Sequence, residues 1–144
     1  MSMFSQAQQT INTAAGTPAW EIRTNNMTRS AIMEIGLTTV TAASIGVGLG
    51  RPATQGNTSY IEFSFLPEYG TEGLSISQTK LVLLSQVLPT APVNYFRRAF
   101  GLSGIGNGVI WTFARALIIP LSSSLVLWNI TASAPLSTWV VTKE

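Results

Sequence analysis

Two neighbouring segments near the C-terminus alternate between two sides with a period of two. In the first, Gly108 to Pro120, Val109, Trp111 and Phe113 fall on one side, and the residues between them fall on the other. The second segment, Ser122 to Ile130, alternates in the same way. Because successive side chains of a β-strand point to opposite faces, both segments are predicted to be core strands of an all-β domain.

Similar patterns recur along the chain and predict the other strands. These are Trp20–Thr24, Arg29–Thr41, Tyr60–Leu66, Leu74–Leu88, Asn94–Phe100 and Leu136–Thr142. Within the fourth, three leucines also fit helical spacing, so a helix over Gln78–Leu88 stays open and a strand is preferred. About eight antiparallel strands in a single domain predict a β-sandwich or jelly roll.

Residues 1–17 are small or polar and show no repeating apolar face. They predict an extended N-terminal arm, followed by a β-sandwich domain over residues 18–144. A disordered tail is one interpretation of this segment. The other is an arm that becomes ordered on a neighbouring subunit, which the apolar residues Met3, Phe4 and Ile11 favour.

Glycines and a proline punctuate the segment from Ala42 to Asn57, which predicts a loop. The portion from Gly46 to Pro52 suggests a phosphate-binding loop at first sight. It lacks both the GxGxxG and the GK[S/T] frame, and Pro52 stands where a helix would have to begin. Phosphate binding is therefore not expected here.

Charged residues are scarce in this sequence. They make up 10% of the 144 residues, against about a quarter in an average domain. A small protein with so little surface charge stays soluble more easily when other protein covers part of its surface, which favours an obligate assembly. The formal net charge of +2 is too small to predict a nucleic-acid partner, and no basic cluster exceeds Arg97-Arg98.

The residue types that most catalytic and metal sites require are missing from the sequence. It has no cysteine, histidine or aspartate, and neither lysine stands in a recognisable catalytic frame. Catalytic triads, zinc sites and calcium loops are therefore not expected. The longest apolar stretch, Ile105–Ile130, is interrupted by Arg115, Pro120 and serines, so it predicts no membrane span. We expect no enzymatic activity, no metal or other cofactor, and no membrane partner.

Five segments together resemble a family of small virion proteins of tailed bacteriophages and prophages. They are Ala31–Gly36, Gly48–Pro52, Gly106–Phe113, Ser122–Asn129 and Trp139–Val141. The resemblance implies a structural virion component without a catalytic motif, with a capsid decoration (cement) protein as the expected role. It further implies the outer surface of the capsid as the location, after assembly in the host cytoplasm. The implied partners are the major capsid protein and copies of the chain itself, with a trimer favoured over a dimer.

A binding module is the competing hypothesis. A tail-fibre or baseplate domain that recognises surface sugars would use exposed tyrosines such as Tyr60, Tyr69 and Tyr95. A nucleic-acid binder is a third possibility, which the near-neutral charge argues against.

Candidate contact residues are apolar positions of the arm and exposed positions in the loops. They are Met3, Phe4, Ile11, Arg51, Tyr69, Arg97 and Arg98. Arg115 is added because it is the single charged residue between Gly108 and Pro120. It is predicted either to pair with Glu34 or Glu62, or to reach a neighbouring subunit.

Overall fold

Two antiparallel β-sheets enclose one apolar core in the structure, a computed structural model that describes residues 3–68, 77–131 and 134–144. These residues form eleven strands and no helix, where about eight strands were expected. The strands are β1 (Met3–Gln9), β2 (Pro18–Arg23), β3 (Ser30–Thr39), β4 (Ile45–Pro52), β5 (Asn57–Ser64), β6 (Leu66–Pro67), β7 (Lys80–Val87), β8 (Pro92–Leu102), β9 (Gly108–Ile119), β10 (Ser124–Thr131) and β11 (Leu136–Lys143).

The first sheet has the strand order β6-β1-β11-β3-β9, and the second has the order β5-β7-β2-β10-β4-β8. The all-β prediction is confirmed, and the two antiparallel sheets are consistent with a β-sandwich. Both sheets contribute large apolar side chains to the core. Those of the first sheet include Ile35, Leu37, Trp111, Phe113, Leu136 and Val140, and those of the second include Trp20, Ile22, Leu49, Leu81, Leu125 and Leu127.

Strand β9 follows the predicted alternation at its start. Trp111 and Phe113 are buried, whereas Ile110 and Thr112 are exposed. Strand β10 differs, because Ser124 to Asn129 are all buried whichever side they face. This strand lies in the middle of the second sheet, between β2 and β4.

Two chain connections cross the second sheet, in which β10 lies. The link from β4 to β5 and the link from β7 to β8 must each cross the strands that lie between their ends. They hydrogen-bond to each other, with the Thr90 backbone N–H donating to the carbonyl of Thr54 at 3.1 Å. The Gly56 N–H donates to the Glu21 carboxylate of β2 at 3.1 Å. Because the core fills the inner face, both links cross the outer face.

Strand β4 corrects the loop predicted from Ala42 to Asn57. Ile45, Val47 and Leu49 point into the core, and the glycines between them take the outer positions. A Cβ at Gly48 would overlap the ring of Tyr95 on β8. The glycines therefore let side chains of β8 lie directly on the backbone of β4, and they do not make the segment a loop.

Residues 3–17, predicted to belong to an extended arm, are hydrogen-bonded to the sandwich. Strand β1 lies between β6 and β11, and Phe4 is only 2% exposed. The following turn is held by Asn129, whose carbonyl accepts from the Gly16 N–H at 2.7 Å and whose own N–H donates to Thr17 at 2.9 Å. The sequence signal was weak because polar Gln6 occupies the next inward position of this strand.

Two other strand predictions are confirmed. The segment for which a helix stayed open is strand β7. On β5, Tyr60 and Glu62 are exposed, and Ile61 and Phe63 pack against the core, as the alternation predicts. Leu74 to Ile76, predicted as part of a strand, lie outside the described residues.

Candidate functional site

Strands β8 and β9 form one side of the sandwich. They are consecutive in the chain, and each is the last strand of its sheet. With 11 and 12 residues they are also the longest strands in the described ranges. Edge strands are normally short or otherwise protected, because their unpaired backbone groups can attract another chain. Two long edges side by side therefore identify this side as a candidate contact surface.

Exposed apolar side chains are concentrated on this side. Of thirteen exposed large hydrophobic residues in the described ranges, seven lie between residues 92 and 121. They are Val93, Phe96, Phe100, Ile105, Ile110, Ile118 and Leu121. Single exposed apolar residues are ordinary, but a contiguous group marks an interaction site.

Three arginines lie over phenylalanine rings at this side. The guanidinium carbon of Arg51 is 5.3 Å from the centroid of Phe96, and that of Arg98 is 5.5 Å from Phe100. That of Arg97 lies 5.1 Å from the ring of Phe113. Each such contact is worth about 0.5–1 kcal/mol at an exposed site. The arrangement holds the guanidinium groups in place, and Arg51 and Arg97 each also donate to a backbone carbonyl.

Two of these arginines connect the two sheets. Arg97 lies opposite Leu49 in the register of β4 and β8, so it takes an inward position at the edge of the second sheet. Its partner Phe113 belongs to β9 of the first sheet. Arg51 also reaches β9, where its Nη2 donates to the carbonyl of Ile118 at 2.7 Å. Charged side chains therefore bridge the open side of the sandwich.

Arg115 lies on the same side, on strand β9. Ile32 pairs with Leu117 and Glu34 with Thr112, so four residues of β9 bulge opposite one residue of β3. Arg115 is exposed within this bulge. In the described ranges the only ion pair joins Arg23 to Glu21, so the predicted pairing with Glu34 or Glu62 is wrong.

Neither carboxylate is placed to meet Arg115. Glu34 accepts a hydrogen bond from Nε1 of Trp139 at 2.8 Å. Glu62 lies on β5, at the opposite end of the second sheet from β8. The sequence from residue 92 to 119 contains no aspartate or glutamate, so the arginines of this side have no carboxylate on their own two strands.

The predicted contact residues divide into two groups. Arg51, Arg97, Arg98 and Arg115 come together at the β8–β9 side. The three N-terminal candidates do not join them: Phe4 is buried in the core, Met3 is half-buried in β1, and Ile11 is 49% exposed in the following turn. The remaining candidate is Tyr69, which lies outside the described residues.

The sequence analysis missed the apolar members of the surface. Phe96 and Phe100 flank the arginine pair, and that spacing is a usable signal, because arginine and aromatic residues are both enriched at protein interfaces. Ile110 and Ile118 gave no signal of their own. Both lie on the face of β9 away from the core, and the alternation of apolar residues on both faces does not show which face is exposed.

One charged pair elsewhere in the described structure, Glu21 with Arg23, serves the fold. Glu21 is 2% exposed and pairs with Arg23 at 2.6 Å, and Nη1 of Arg23 donates to Ser59 at 2.8 Å. This pair ties β2 to β5 beneath the crossing connection. Across the described ranges, no group of three potential metal-binding side chains lies close enough together to hold an ion. No helix that could span a membrane is found there either.

Comparison of the chain with protein-family models, with curated proteins and with solved structures gives no match. Its function is therefore inferred from the geometry of the β8–β9 side and the residues that compose it.

Proposed function

We propose that this protein is a structural component of a tailed-bacteriophage particle that decorates the outer surface of the capsid. In this role it bridges capsomers by binding the major capsid protein and further copies of itself. The observation that carries the proposal is the β8–β9 side, where exposed apolar residues and four arginines lie on two edge strands, their adjoining loops and the end of β4. Such a surface suits binding to another protein.

The composition of the surface supports a protein partner. Aromatic residues and arginine are enriched at protein interfaces, whereas lysine, glutamate and aspartate are depleted. The β8–β9 side follows this pattern, since its strands carry three phenylalanines and no acidic residue. The low charge of the whole chain, 10% of residues, also suits a protein that is largely covered in its assembly.

The strand pairing supports a jelly roll as the finer description of the fold. When β5, β6 and β7 are set aside, eight strands remain, and the first pairs with the last (β1 with β11). The second pairs with the seventh (β2 with β10), the third with the sixth (β3 with β9) and the fourth with the fifth (β4 with β8). A long hairpin rolled on itself produces this nested order. Jelly rolls are a frequent architecture of viral capsid proteins and of lectins.

The mechanism is mechanical. A standard specific interface buries about 1,600 Å² in total and excludes water from its apolar centre. Many copies that each bind two neighbours act together, because each further contact forms at a high effective concentration. Capsomers held in this way resist the outward pressure of packaged DNA without any chemical step by the protein.

Co-sedimentation with purified capsids tests the proposal. Purified protein added to empty, tailless capsids should co-sediment with them at a fixed ratio to the major capsid protein. Arg98→Glu should weaken this binding about tenfold or more, which corresponds to 1.4 kcal/mol. Lys143→Glu is the matched control, because Lys143 lies on β11 away from the β8–β9 side. Absence of binding to tailless capsids would contradict the proposal.

A sugar-binding module of a tail fibre or baseplate remains the second candidate. Shallow depressions surround Tyr95 at the end of β8, and Val93, Asn94 and Arg98 line one of them. An aromatic ring beside an amide and a guanidinium group offers stacking and hydrogen bonds to a saccharide. In that case the protein would be lost from particles together with the tail, and Tyr95→Ala would abolish binding to the host surface.

A further inference from the structure

We propose that the β8–β9 side of one copy docks on the opposite side of a second copy, formed by β5 and β6, so that the protein assembles head to tail. This deepens the proposed function and rests on it in one respect, that the protein acts as a subunit of an assembly. The docking itself depends on features at the two ends of the sandwich.

The two sides face away from each other. Strands β5 and β8 are the two ends of the six-stranded sheet, and β6 and β9 are the two ends of the other sheet. Five strand-to-strand steps of about 4.8 Å separate β5 from β8 by about 24 Å. One copy cannot bring these surfaces together, but a neighbouring copy can.

The charges of the two sides are complementary. The β8–β9 side carries Arg51, Arg97, Arg98 and Arg115. The β5–β6 side carries two exposed carboxylates, Glu62 on β5 and Glu68 directly after β6. One cation, Lys80 on β7, lies near them and donates to the hydroxyl of Ser64. Opposite charges across a contact set its orientation and speed its formation.

Both sides also expose apolar surface. Seven of the thirteen exposed large hydrophobic residues in the described ranges belong to the β8–β9 side and its adjoining loops. Four more lie on or beside the β5–β6 side: Tyr60, Leu66, Val87 and Leu88. Only Ile11 and Met27 of the thirteen lie elsewhere. Apolar patches at opposite ends allow each copy to cover a patch on each of its two neighbours.

The charge pattern also selects the symmetry. A two-fold contact of the β8–β9 side with itself would place arginines against arginines, and like charges facing each other oppose binding. A head-to-tail contact avoids this repulsion. Repeated contacts of this kind close into a ring when a whole number of rotations between neighbours makes one full turn.

Side chains, and not added strands, make this contact. The pairing of β8 with β4 shifts register at three places, and that of β5 with β7 shifts at two. Such bulges interrupt the row of backbone groups that a partner strand would need.

Two charge-reversed variants test the docking. Arg98→Glu with Arg115→Glu alters the β8–β9 side, and Glu62→Arg with Glu68→Arg alters the β5–β6 side. All four side chains are exposed and none forms an ion pair within the described ranges. In sedimentation velocity at low salt, wild-type protein should form oligomers that dissociate as salt rises. Each variant alone should associate about tenfold more weakly or worse.

The mixture of the two variants is the decisive sample. Each retains one intact side, and the two reversed sides carry opposite charges, so a head-to-tail contact lets the mixture assemble again with the two variants in alternation while each variant alone stays dissociated. A fourfold variant with both sides reversed should again assemble with itself. A monomeric wild type at low salt, or a mixture that assembles no better than each variant alone, overturns the inference.

Wild-type protein alone provides a test that needs no variant. Hydrogen exchange measured on diluted and concentrated samples should show protection on assembly in residues 57–66 and 92–119 together. Protection of one of these ranges without the other overturns the head-to-tail contact. Capsid binding is a separate measurement: its failure with self-assembly intact removes the virion role alone, and the reverse result removes the docking alone.

Discussion

The N-terminal strand and the β8–β9 side contain the same kind of side chain in opposite surroundings. Phe4 on β1 is 2% exposed, whereas Phe96 and Phe100 on β8 are 41% and 51% exposed. Strand β1 has a neighbour on each side, and β8 has a neighbour on one side only. Phe113 on the other edge strand, β9, is only 8% exposed, so the face that a side chain occupies, and neither apolar character nor edge position alone, decides which phenylalanines stabilise the fold and which remain exposed.

The same comparison explains the arginines. Phe4 packs in the apolar core, whereas Phe96 and Phe100 are each covered by a guanidinium group. Charged side chains on an edge discourage the pairing of strands from different chains, so they keep an exposed apolar side soluble until its partner is present. The β8–β9 side is thus protected from non-specific contact by the residues that we propose for the specific one.

The largest expected loss of stability comes from replacing the buried phenylalanine of β1, and it can be compared with the same replacement on β8. Phe4→Ala removes a fully enclosed ring and should lower the free energy of unfolding by about 3–5 kcal/mol. Phe96→Ala is the matched control on β8 and should lose about 1 kcal/mol, mainly its contact with Arg51. Urea unfolding followed by circular dichroism measures both. Equal losses would contradict the placement of β1 inside the sheet.

Alternation in the sequence predicted the strands whose outward residues are visibly polar. Tyr60 to Ser64 is the clearest case, because glutamate and serine stand between aromatic and aliphatic residues. Strand β4 was not predicted, because its outward residues are glycines and closely spaced glycines in a sequence indicate a loop. Their meaning depends on Tyr95, which lies far away in the sequence and covers Gly48 only once β4 and β8 pair.

The contact surface was predictable in part for a similar reason. Arg97 and Arg98 were predicted as contact residues from their expected exposure. That Arg51 joins them follows from the pairing of β4 with β8, which no local pattern encodes. The expected pairing of Arg115 with Glu34 was wrong because Glu34 lies opposite Thr112 in the register of β3 and β9 and accepts a hydrogen bond from Trp139.

A smaller loss of stability is expected from a variant that tests how closely a side chain of β8 packs on the backbone of β4. Gly48→Ala places a methyl group against the ring of Tyr95 and should lower the free energy of unfolding by about 1–3 kcal/mol. Replacing Tyr95 by alanine in the same chain removes the overlap, so the double variant should be more stable than the sum of the single losses implies. Strict additivity of the two losses would show that the ring does not lie on Gly48.

The smallest expected effects on stability distinguish the roles of the two neighbouring arginines, Arg97 and Arg98. Arg97 points inward and contacts Phe113 of the other sheet, so Arg97→Ala should lose about 0.5–1 kcal/mol of stability and speed amide exchange in β9. Arg98 contacts Phe100 on its own strand, so Arg98→Ala should stay within about 0.5 kcal/mol of wild type. In assembly the order should reverse, because Arg98 lies outward, opposite Gly48, and is free to meet a partner. A stability loss at Arg98 equal to that at Arg97 would mean that both residues serve the fold, and the proposed contact would then have to rest on Arg51 and Arg115.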